Sequence, residues 1–144
     1  MKSMPLYIIC LLGSFMFYSC DKDKMHYANI LDIRDYPQKQ SKTSGLFSDQ
    51  GAWFGFCLLP DTTSVAGFGG PWILAEKKWA SVSLATVKVI DVTSGIEYVF
   101  IKEKQEYLPG KLVSSFRSDN LNLTITLVFG DKGIAWQTAT IENL

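Results

Sequence analysis

Residues 121–129 read Leu-Asn-Leu-Thr-Ile-Thr-Leu-Val-Phe, and this run restricts the possible folds more than any other part of the chain. Leu121, Leu123, Ile125, Leu127 and Phe129 recur at a period of two, with Asn122, Thr124 and Thr126 between them. A helix, turning about 100° per residue, would scatter those apolar side chains around its circumference. A strand collects them on one face. Gly130-Asp131-Lys132-Gly133 then supplies turn chemistry, and Ile134 to Ile141 returns as the second arm of a hairpin. One buried face and one polar face is the pattern of an antiparallel sheet packed on a core.

The same reading extends upstream. Lys111 to Arg117 forms another strand, set off by the breaker Leu108-Pro109-Gly110 and the turn Ser118-Asp119-Asn120. Val82 to Ile90 alternates and is expected to pair, across Thr93-Ser94-Gly95, with Glu97 to Lys102. In that second arm Tyr98, Phe100 and Lys102 face away from Val99 and Ile101, and Glu103 and Glu106 are expected to flank a turn. Further strands are expected at Asn29 to Ile33, Trp53 to Leu59 and Trp72 to Ala75, with a short helical turn possible over Glu76 to Ala80. Gln38 to Ser48 is a polar surface loop. Strands at this spacing, separated by turns, predict an all-β, antiparallel β-sandwich.

The amino terminus is set apart from that domain. Lys2 precedes the apolar run Leu6 to Phe17, which is short for a membrane span and ends at Phe17-Tyr18-Ser19-Cys20. This resembles a bacterial lipoprotein signal, with Phe17 where leucine is usual and Cys20 as the lipidated first residue. The expected organisation is a signal over residues 1–19, a tether over 20–28 and one domain over 29–144. The implied location is the cell envelope, with the chain anchored in a bacterial membrane on its periplasmic or surface side.

Fourteen basic residues balance fourteen acidic ones, so no clustered basic face points to nucleic acid. Of three cysteines, Cys10 leaves with the signal and Cys20 carries lipid, so Cys57 has no intrachain partner and reads as a small buried hydrophobe. The single histidine, His26, falls in the tether, so neither a Cys–His pair nor a metal-ligand cluster is expected. No cofactor is implied.

Asp49-Gln50-Gly51-Ala52-Trp53-Phe54-Gly55-Phe56-Cys57-Leu58-Leu59-Pro60, followed by Gly67-Phe68-Gly69-Gly70-Pro71, resembles the amino-terminal β-domain of bacterial family-63 glycoside hydrolases. Leu108 to Val113 and Leu123 to Ile141 extend the likeness, which runs over most of Asn29 to Asn143. Phe54 stands where relatives often carry histidine, which removes a polar group. The resemblance implies a super-sandwich-like domain packed on an (α/α)6 barrel. That barrel would cleave α-glucosidic bonds with inversion, using two carboxyl groups roughly 6.5–9.5 Å apart. The family's catalytic segment lies beyond the residues matched here, so no catalytic residue carries over and this chain alone is expected to be inactive.

The candidate contacts to sugar, or to a catalytic domain, are Asp49, Trp53, Asp61 and Trp72. Asp49 and Asp61 bracket the glycine-aromatic strand, where an Asx turn or a strand-end cap is the plain alternative. Trp53, Trp72, Trp79 and Trp136 could stack on pyranose rings or fill the core, and Trp72, in its glycine-rich surroundings, is the expected exposed contact. Asp91, Glu97, Glu103 and Glu106 are expected to be solvated charges. Two readings follow. In the first, the chain is the non-catalytic part of a lipid-anchored α-glucosidase that acts on an α-linked glucoside or oligosaccharide. In the second, it is a stand-alone surface lipoprotein that binds glycans without cleaving them.

Overall fold

A computed structural model describes residues 27–38 and 45–144. The expected signal, the lipidated Cys20 and the tether histidine His26 lie outside the described residues. Two antiparallel sheets account for the regular structure. The smaller is built from β1 (Phe54–Cys57), β2 (Gly69–Ile73) and β3 (Lys78–Trp79), in the order β1-β2-β3. The larger is a meander of β4 (Ile101–Leu108), β5 (Lys111–Arg117), β6 (Leu121–Gly130) and β7 (Ile134–Asn143). The fold is the expected all-β sandwich.

The larger sheet follows the alternation in the sequence. Leu123, Ile125 and Leu127 of β6 are buried, as are Leu112, Ser114 and Phe116 of β5, while Val113, Ser115, Thr124 and Thr126 face outward. Register sets Leu112 against Leu127 and Phe116 against Leu123, so the two buried rows coincide. Pro109-Gly110 makes a two-residue turn between Leu108 and Lys111, with Gly110 at φ +86°, where a side chain would be strained. A single 3-10 turn, Asp131–Gly133, joins β6 to β7.

One core serves both sheets. Phe56 and Leu58, with Ile33, Phe47, Ala66 and Phe68, pack against Phe100, Phe116, Ile125 and their neighbours from the larger sheet. Two polar side chains of β4 tie the layers together. Gln105 Nε2 donates to the Leu59 carbonyl at 2.8 Å, and Lys102 Nζ donates to the Pro60 carbonyl at 2.9 Å. Gln105 thereby satisfies a carbonyl beyond the end of β1, and Lys102 adds a second donor to the Pro60 carbonyl, which also accepts from the Thr63 N–H at 3.0 Å.

Four local expectations are corrected. Residues 81–100 do not form a full hairpin: the two expected arms meet only near the turn, at the isolated bridge Ile90 to Glu97, with the Asp91 N–H donating to the Ile96 carbonyl and the Tyr98 N–H to the Val89 carbonyl, both at 2.9 Å. The first part of the segment is bonded elsewhere, Leu84 N–H to the Gly70 carbonyl and Val87 N–H to the Ala66 carbonyl. The side-chain alternation still holds, with Phe100 buried and Val99 and Ile101 exposed. Glu103 and Glu106 both lie within strand β4, so the turn expected between them is absent. Asn29 to Ile33 makes no strand, because Asn29, at φ 55°, bends the chain and hooks Tyr107 through its side chain and backbone. Glu76 and Lys77 turn directly into β3 without a helix, and Lys77 takes a positive φ.

Candidate functional site

The glycine-aromatic segment builds an aromatic end of the molecule. Phe47 exchanges two backbone bonds with Phe56, at 2.8 and 2.9 Å, which lays the 45–49 segment alongside β1. Ser48 Oγ donates to the Phe54 carbonyl at 2.8 Å, and the Ala52 N–H donates to the Asp49 carbonyl at 3.0 Å, closing the turn that carries Asp49. Phe47 and Phe129 lie 5.3 Å apart and Phe54 and Phe129 5.6 Å, with Tyr107 edge-on to Phe47 at 6.3 Å. Phe47, Tyr107 and Phe129 line a cleft of about 250 Å³ together with Ser48 and Asp49. Phe54, in the position where a polar group was missed, is part of this ring cluster.

Trp53 stands over the same end. Its ring meets Phe54 edge-on at 5.0 Å and is 63% exposed. Gly133, in the turn between β6 and β7, touches Ala52, so that turn flanks the Asp49–Trp53 loop. An exposed indole can stack on an apolar ring face, and a carboxylate lining an aromatic cleft can accept hydrogen bonds from hydroxyls.

The other two candidates are elsewhere. Asp61 follows β1 and so lies at the opposite end of that strand, 3.5 Å from Gln105 Nε2 and exposed. There it acts on Lys102, whose pKa is pushed below the usual lysine range by burial. The charge of Asp61 opposes that shift and the charge of Arg34 adds to it. Trp72 sits in strand β2 opposite Gly55, half-buried against Trp79 at 5.2 Å. The glycine-rich stretch around it is strand, not loop, and Trp53 and Trp136 (60% exposed) are the indoles most open to solvent. The structure therefore groups Asp49 with Trp53 and separates both from Asp61.

A larger cleft, about 770 Å³, lies between the 91–99 segment and the turn joining β5 to β6, and none of the four candidates lines it. Asp91, Glu97, Glu103 and Asp119 meet there beside Arg117. Sequence reasoning listed three of these carboxylates as scattered turn charges, and no local signal marks residues this far apart as neighbours. None is arranged as a general acid, which needs burial to keep its proton. Asp91 instead accepts backbone N–H bonds from Thr93 at 2.7 Å and Ser94 at 3.3 Å, which hold it below the usual carboxylate range. Glu97 pairs with Lys88 at 3.0 Å and Glu103 with Arg117 at 3.8 Å, both on the surface.

Cys57 is inert. It is fully buried, and burial, followed by the charge of Asp35, pushes its thiol up to about 12. No group of metal-ligating side chains occurs among the described residues.

By fold and surface, then, the molecule is a single β-sandwich domain whose distinctive feature is an aromatic end with a carboxylate at its rim. The sequence model of the family described as "Glucosidase YgjK, N-terminal" matches residues 29–142, and the chain belongs to that family. It is thereby an amino-terminal domain of the glucosidase kind. No curated protein matches the chain.

Proposed function

We propose that this chain is the non-catalytic amino-terminal domain of a lipid-anchored, family-63-like α-glucosidase, in which it braces the catalytic barrel and shapes one wall of the sugar pocket. The match of the glucosidase amino-terminal family to residues 29–142 carries the reading. The aromatic end supports it, because Trp53 offers an exposed stacking face and Asp49 lines an aromatic cleft in the same loop region. Cys20 holds the protein to the envelope membrane through its lipid, and the substrate is an α-linked glucoside or oligosaccharide.

Incubating the pure chain with a panel of α-linked gluco-oligosaccharides tests the non-catalytic role. No glucose is expected, and steady turnover overturns it. Reading the source gene past the Leu144 codon tests the rest. An open frame running into a helical, carboxylate-bearing segment is expected. A stop followed by unrelated sequence, with the short protein present in cells, overturns it. Cys20→Ala should move the protein out of the membrane fraction.

The exposure of Trp53 favours a second reading, a surface lipoprotein that binds glycans without cleaving them. Calorimetry against α-glucans separates the two: binding by the short chain, lost in Trp53→Ala, supports it, and silence across the panel removes it.

A further inference from the structure

The chain enters the domain beside the end of β4. Asn29 accepts from the Tyr107 N–H at 2.9 Å and donates its own N–H to the Tyr107 carbonyl at 2.7 Å, which fixes the first described residues against that strand. Around this anchor Tyr27, Ile30 and Leu31 are between 50% and 58% exposed. Ile33 then turns into the core, where its carbonyl accepts from the Leu58 N–H at 3.2 Å, and the apolar exposure stops there. Asp32 and Arg34 lie 3.9 Å apart and cancel in charge, so the patch is apolar and close to neutral. The other end of β4 has a different character. Ile101 and Glu103 open onto the larger cleft, where Asp91, Glu97, Glu103 and Asp119 outnumber Arg117.

We infer that Tyr27, Ile30 and Leu31 form a membrane-contact patch, which rests among the headgroups of the bilayer holding the Cys20 lipid and stands the domain on the membrane with this end down. The inference rests on the lipid-anchored reading proposed above and adds to it a surface of the folded domain. Seven Cα steps separate Cys20 from Tyr27, and they span at most about 25 Å. The lipid therefore confines the patch close to the bilayer, where even a weak contact is populated. Tyrosine favours the headgroup region, where its ring is in apolar surroundings and its hydroxyl stays wet, and Ile30 and Leu31 withdraw apolar surface from water there. The tether supplies no electrostatic hold of its own, because Lys22 and Lys24 are offset by Asp21 and Asp23. An anionic leaflet repels the four carboxylates at the other end of β4, which disfavours the inverted orientation. The patch excludes Trp53, which belongs to the loop before β1 and keeps its sugar-facing role.

Spin labelling of the mature lipidated chain, in vesicles of phosphatidylethanolamine and phosphatidylglycerol, tests it. An Ile30→Cys chain takes the label at one site, because Cys10 leaves with the signal, Cys20 carries lipid and Cys57 is buried. A nitroxide there should collide readily with oxygen, which dissolves in the bilayer. It should collide several-fold less with a water-soluble nickel chelate than a nitroxide at Val92→Cys, which is 98% exposed beside the acidic cleft. Adding Leu31→Glu, also at an exposed position, should return position 30 to the collision rates of position 92. Equal rates at positions 30 and 92 without that change overturn the proposal. Protection of position 30 from both reagents means that protein covers the patch, and it overturns the proposal too, as does a bilayer signature that survives Leu31→Glu. Mass spectrometry of Cys20 separates the patch from its premise. An acylated chain with position 30 in water defeats the patch alone, whereas an unacylated Cys20 defeats the anchored reading and the patch together.

Discussion

At the scale of the residue, Cys57 and Ser114 show how burial sets the behaviour of a polar atom. Cys57 Sγ lies 3.5 Å from the Asp35 carbonyl in a site with no exposure, and its thiol is raised from 9.0 to about 12. A thiol raised on folding contributes stability that is complete below its unfolded pKa and is lost as pH climbs toward the folded one. Lys102 runs the other way, since its lowered pKa adds stability as pH rises toward the ordinary lysine value. Comparing wild type with Cys57→Ala isolates the thiol. Urea midpoints should fall between pH 8 and pH 11 more steeply in the wild type, and parallel pH curves would contradict this account. Mass-mapped alkylation should likewise reach Cys57 only after unfolding. Ser114 is fully buried, and its hydroxyl has no protein partner. Ser114→Ala removes a desolvated donor at little cost in volume, so stability should rise by roughly 1 kcal/mol in denaturant titration.

At the scale of the element, the faces of β6 separate clearly. Leu123 is wholly buried, and Leu123→Ala should cost about 2–5 kcal/mol through lost burial and the cavity left behind. Thr124 faces outward next to Thr140, and Thr124→Ala should stay within about 0.5 kcal/mol. Equal losses at the two positions would mean that the outer face is covered. β5, β6 and β7 were legible in the sequence because one face of each meets the core and each ends at a recognisable turn. Residues 81–100 were legible only in part, at the turn where Ile90 meets Glu97. Their alternation is real, but whether an alternating segment joins a ladder depends on which backbone lies beside it. Here the first part lies beside Gly70 of β2 and Ala66 in the loop before it, and only residues 89–98 meet the expected second arm. Asn29 to Ile33 was misread for a similar reason, since Asn29 reaches β4 far along the chain.

At the scale of the whole molecule, the sheets share one hydrophobic cluster, so neither has a core of its own. Leu58→Ala in the smaller layer and Leu123→Ala in the larger should therefore lower the same transition. Circular dichroism and tryptophan emission should give coincident midpoints for each variant. Two separated transitions would show that the layers unfold independently. The Lys102 and Gln105 bonds to Pro60 and Leu59 reinforce that coupling, because losing either layer strands a buried polar group.

The sequence by itself determined the fold class, the larger sheet with its buried face, the burial of Cys57 and the glucosidase family resemblance. All of these depend on periodicity, turn chemistry or local composition, which are properties of neighbouring residues. Only the tertiary structure decided that Asp49 and Trp53 share an aromatic-floored end while Asp61 lies at the opposite end of β1. It alone placed Trp72 against Trp79. Those outcomes depend on contacts between residues distant in the chain, and a period of two carries no information about which strand lies next to which.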